Sequence, residues 1–148
     1  MWKHVFSVLI YVGVSLVVQA VSHLVVFAHH YNEVGFVRAH PIFALGIGAL
    51  VLQGILLSAV YSMTKSAGLG LSSAVGFTLL MGTFLISHEG MAEAAKYTVP
   101  DPAAWVGVEF ASGFVQYLLI GLGIGLVHLK RQPNMAASAA EKVAGEAH

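Results

Sequence analysis

Hydrophobic residues fill this chain in long unbroken blocks, and polar residues interrupt them only singly. Four blocks stand out, at about Val5 to Ala28, Pro41 to Met63, Leu69 to Ala92 and Ala103 to Leu129. Each holds 20 or more residues, enough for a helix to cross a hydrocarbon layer of roughly 30 Å. None alternates apolar and polar residues with a period of two, so strands are not indicated. Pro41 opens the second block at a helix-start position. Trp2 and Trp105 sit at block edges, where the amphipathic indole favours the membrane–water boundary. The pattern predicts an all-α, polytopic membrane protein, an antiparallel bundle of four transmembrane helices over residues 1–131. An Ala-rich polar tail over 132–148 follows.

The connections predict how neighbours run. His29 to His40, Thr64 to Gly68 and Glu93 to Pro102 are all short, and short links make successive helices antiparallel neighbours. Lys3, Lys65, Lys130, Arg131 and Lys142 fall on one side, against Arg38 and Lys96 on the other. By the positive-inside rule both termini are cytoplasmic. A competing reading takes residues 1–20 as a signal peptide cleaved after Val18-Gln19-Ala20. Because the apolar run continues unbroken to Ala28, a retained first helix is the expectation.

Composition sharpens the picture. Hydrophobic residues make up 57% and charged residues 9%, and mean hydropathy is +0.81. A water-facing surface needs about 25% charged residues, so lipid is the expected solvent of the outer faces. Net charge is zero, which leaves no basic field for nucleic acid. There is no cysteine, so disulfides, thiolate metal sites and cysteine nucleophiles are excluded. The Gly121-Leu122-Gly123-Ile124-Gly125 run follows no strand and carries no lysine, so it is no phosphate loop. It reads as close helix packing inside the bundle, with self-association as the other use.

Polar side chains in lipid need partners and should face the interior. Ser15, Gln19 and His23 are spaced by four, and Glu109, Ser112, Gly113 and Gln116 share one helical face. At 1.5 Å per residue, His23 and Glu89 each lie roughly 27 Å into their spans, and Glu109 about 6 Å past Trp105. His23, His88, Glu89 and Glu109 are thereby predicted in one layer near the periplasmic face. Gln53 and Gln116 form a deeper layer, and Gln19, Gln53 and Gln116 are read as structural polar contacts. The outer layer suits a divalent metal, a haem held between two helical histidines, or proton relay. No HExxH or other fixed metal signature is present. The loop histidines His29, His30 and His40 are read as interfacial.

From Gly76-Phe77 to Gly113-Phe114-Val115-Gln116-Tyr117-Leu118-Leu119-Ile120-Gly121 the chain resembles a group of small four-helix bacterial membrane proteins of unassigned activity. The shared elements are a Gly-rich third span, a Tyr/Pro loop, and a Gln leading into a Gly-rich apolar run. The resemblance covers the last two spans. It implies a bacterial inner-membrane location and carries over no catalytic residue. With no nucleophile constellation, the leading functional expectation is a non-enzymatic accessory or structural membrane subunit, partnered by lipid, other subunits or itself. The alternatives are a metal- or haem-binding protein and a small oligomeric transporter of protons, ions or a solute.

Overall fold

The computed structural model describes residues 1–34, 40, 42–64 and 70–129. Pro41, Arg38, Lys65, Lys130, Arg131 and the tail at 132–148 lie outside the described residues. Among those described, every regular element is helical. They are α1 (Trp2–Val21), α2 (Ala28–Asn32), α3 (Phe43–Thr64), α4 (Leu71–Ile86), α5 (Glu93–Lys96) and α6 (Pro102–His128). A π-helical turn, Ser22–Val26, extends α1, and a second, Ser87–Ala92, joins α4 to α5. Four continuous helical stretches are long and apolar enough to cross a membrane: Trp2–Val26, Phe43–Thr64, Leu71–Lys96 and Pro102–His128. They match the four blocks read from the sequence to within a few residues at each end. These helices are apolar over most of their circumference.

Local chemistry sets several boundaries. Asp101 caps α6, its carboxylate accepting from the backbone N–H groups of Ala103 and Ala104 at 3.0 Å each. Pro102 follows at the first helical position, where its missing N–H costs nothing. Phe27, at φ −115° and ψ 24°, breaks the first long helix, and α2 then turns over the end of the bundle.

The central helix is α6, which packs most extensively on α4 and also on α1, while α1 holds α3. Close approach to α4 depends on glycine. A methyl group at Gly82 would collide with the Tyr117 ring, and one at Gly121 would meet Thr78 and the Cα of Val75 at 2.8 Å. The GxxxG pair Gly121 and Gly125 thus faces α4 inside the fold. By contrast, α3 and α4 barely touch, and residues 43–49 of α3 are exposed. Interhelical partners run in opposite numerical order. Ser7, Tyr11, Ser15 and Ser22 on the first helix meet His128, Tyr117, Gln116 and Ser112 on α6. His4 and Tyr11 meet Ser58 and Gln53 on α3.

Candidate functional site

The polar positions of α1 follow a spacing of four, Ser7, Tyr11, Ser15 and Gln19, and so form one stripe. The first three are fully buried. Tyr11 donates to Gln53 Oε1 at 3.0 Å. Its single proton is then spent, so the 3.0 Å contact with Tyr117 has the Tyr117 hydroxyl as donor. Gln116, 5% exposed, donates to Ser15 Oγ at 3.1 Å and accepts from Gln19 Nε2 at 2.9 Å. One level further out, the hydroxyls of Ser22 and Ser112 meet at 2.7 Å. All three glutamines read as structural contacts in the sequence therefore bond across helices.

Above this ladder lies a cleft of about 340 Å³. Its walls come from every long helix: Gln19 and His23, Leu50 and Gln53, Glu89 and Glu93, and Trp105, Glu109, Gln116 and Tyr117. Among the described lining residues there is no Lys or Arg. Three carboxylates therefore share one open space, with amides and two aromatic rings around them.

The four residues predicted to share a layer have different fates. Glu109 is 8% exposed, and its Oε1 accepts a 2.7 Å hydrogen bond from the Tyr31 hydroxyl. His23 is half-buried on the π turn. Its Nδ1 meets the Gln19 carbonyl oxygen at 2.9 Å, and its ring stacks on Tyr31 with centroids 3.7 Å apart. Glu89 lines the exposed side of the cleft, and its main-chain oxygen accepts from Trp105 Nε1 at 3.4 Å. His88 is exposed and does not line the cleft. Adjacent residues on a helix point about 100° apart, so Glu89 and His88 cannot both turn inward.

This arrangement differs from a metal or haem centre. Among the described residues no three His, Asp or Glu side chains converge as a set of metal ligands. His23 is the one histidine among the described lining residues, so the cleft offers no histidine pair to bracket a haem iron. Of the loop histidines, His29 pairs with Glu33 at 3.2 Å on the surface, and His40 is exposed. His30 packs beside Trp105, with ring centroids 5.7 Å apart.

The sequence pattern places Glu93 on the Glu89 face and in the outer layer, and it lines the cleft; Tyr31 and the Tyr11–Tyr117 pair are not legible in that pattern. Tyr31 follows the apolar block in what reads as a loop, and only the break at Phe27 brings it back over Glu109. Its phenol is held well above the usual tyrosine range, first by burial and then by the carboxylate it bonds. The Tyr11 spacing from Ser7 and Ser15 was the available signal for that member. At the far end of the bundle a second small polar layer also went unread. There His128 meets Ser7 at 3.1 Å and His4 meets Ser58 at 2.9 Å.

No family model, curated protein or solved structure matches the chain.

Proposed function

We propose that this is a multi-pass membrane protein, an antiparallel bundle of four transmembrane helices, whose cleft binds a small cation of the ammonium type. The observation that carries the reading is Glu109. It is nine-tenths buried, is joined by Glu89 and Glu93 on the cleft wall, and faces no described cationic side chain there. Charge of one sign inside a bundle is costly unless a ligand or proton offsets it. Glutamine carbonyl oxygens can accept N–H groups, and the faces of Trp105 and Tyr117 favour a desolvated cation.

Membrane insertion is supported by the outward faces. Leu9, Val17, Leu24, Phe43, Leu80, Phe84, Phe114 and Leu126 are all exposed, which suits hydrocarbon better than water. The antiparallel arrangement is supported by the opposed order of interhelical partners. The first helix supplies Tyr11, Ser15 and Gln19 to the polar ladder, which favours its retention over cleavage after Ala20. The lysine and arginine distribution supports cytoplasmic termini and a cleft toward the opposite face, and the resemblance of the last two spans supports a bacterial inner membrane. We prefer a binding role to the accessory-subunit expectation, which rested on the lack of a nucleophile constellation and of a soluble catalytic domain. It is compatible with transport of the bound cation.

The test uses the purified full chain in phosphatidylcholine nanodiscs. In a Trp2→Phe background, Trp105 is the remaining tryptophan and lines the cleft. Titration with methylammonium is expected to change its fluorescence saturably, and Glu109→Gln is expected to abolish the response. The Gln side chain keeps an acceptor for Tyr31, so the variant should stay folded. A folded wild-type protein without a saturable response refutes the reading.

A further inference from the structure

The cleft continues into apolar space. Gln53 lies on its wall and also on the wall of a narrow groove of about 130 Å³. Leu56 and Val60 of α3 form one side of that groove, and Met81, Phe84 and Leu85 of α4 the other. It exists because α3 and α4 barely touch. From Gln53 to Val60 the groove follows α3 for about 10 Å, away from the carboxylates and toward the opposite end of the bundle. Tyr11 joins Gln53 at the junction, donating to its carbonyl oxygen at 3.0 Å.

Three features define an occupant. Glu109 has one oxygen bonded to Tyr31 and no bond from a described residue to the other, although the side chain is 8% exposed. That second oxygen belongs to a side chain on the cleft wall, where it is open to accept an N–H from a ligand. The groove is lined almost entirely by hydrocarbon. Its order along the helices, charge at one end and apolar wall toward the middle, is the order of head and tail in a membrane leaflet.

We infer that the ligand is a single-chain alkylammonium amphiphile, its amine among Glu89, Glu93 and Glu109 and its chain between α3 and α4. This rests on the cation-binding reading above and names the substrate class of that site. A two-chain zwitterionic phospholipid does not fit. The groove is too small for a second chain, and the phosphate would face three carboxylates. An alkyl anion is rejected for the same electrostatic reason. The gap between α3 and α4 lets the chain slide in from the leaflet while the head stays at its own depth.

The test compares methylammonium with n-octylammonium in the same nanodiscs, reading Trp105 in the Trp2→Phe background. Burying the added methylenes predicts an octylammonium Kd at least about tenfold below that of methylammonium. Val60→Phe, which fills the groove, is expected to bring the two within about threefold while leaving methylammonium binding unchanged. Both proteins sit in the same lipid, so partitioning into the bilayer cancels in the comparison. Met81→Phe repeats the test from the opposite wall and serves if Val60→Phe fails to fold. An octylammonium advantage that survives a folded groove-filling variant overturns the amphiphile inference and leaves cation binding standing. Competition by octyl sulfate also overturns it, because the site would then read the chain without the charge. Absence of binding by either amine overturns the cation reading and this inference with it.

Discussion

The Tyr31 hydroxyl donates a 2.7 Å hydrogen bond to Oε1 of Glu109 across 78 residues of chain. It ties the short helix after the Phe27 break to the buried carboxylate of the cleft. The same tyrosine stacks on His23 and sits edge-on to Trp105, with ring centroids 5.7 Å apart. One residue therefore roofs the site and satisfies half of its most buried charge.

Tyr31→Phe should destabilise the protein by about 1–3 kcal/mol, because it leaves a buried carboxylate oxygen without a donor. The effect should depend on pH. The folded-state phenol pKa is raised, so above the ordinary value of about 10 the unfolded chain loses this proton and the folded chain keeps it. Stability from this residue is fully present below pH 10 and declines as pH rises beyond it. Denaturant titrations in mild detergent between pH 8 and pH 11 check this. A wild-type and Tyr31→Phe difference that stays flat across that range contradicts the assignment.

Gln116→Leu should cost little despite removing two bonds. Interhelical polar contacts in membranes average about 0.6 kcal/mol and reach about 1.7. A double-mutant cycle with Ser15→Ala, measured by unfolding in mixed micelles, should give a coupling within that range. Zero coupling would mean that the 3.1 Å contact has no energetic weight.

Glycine substitutions should separate by location. Gly121→Ala places a methyl against Thr78 and the Val75 backbone, and overpacking of this kind costs about 1–3 kcal/mol. Gly46→Ala points into open space and should be neutral or slightly stabilising, since alanine is the better helix former. Equal effects at the two positions would argue against the α4–α6 contact.

Topology is open to direct measurement. Reporter fusions at Asn32 and Thr98 should read periplasmic, and one after Leu129 cytoplasmic. A cytoplasmic signal at Asn32 would reverse the orientation. A mature chain starting after Ala20 would remove Tyr11 and Ser15, and the ladder they form with α6 could not exist.

The sequence by itself determined four apolar helices and their approximate ends, because each block is an apolar run of 20 or more residues, too long for an ordinary strand and without its period-two alternation. It also determined the polar face of α6, since Glu109, Ser112, Gly113 and Gln116 repeat at helical spacing within one element. The tertiary structure decided what periodicity within single helices does not encode. The π turn at Ser22–Val26 shifts the register after Gln19, the fourth position of the α1 stripe, burying Ser22 and leaving His23 half-buried. The break at Phe27 returns Tyr31 to Glu109, a partner no local spacing relates to it. The separation of α3 from α4 opens the cleft and its groove, and that gap arises because the glycines of α4 and α6 draw those two helices together while α3 is held by α1. Contacts between distant segments depend on how whole surfaces fit, and the order of residues along one helix does not specify that fit.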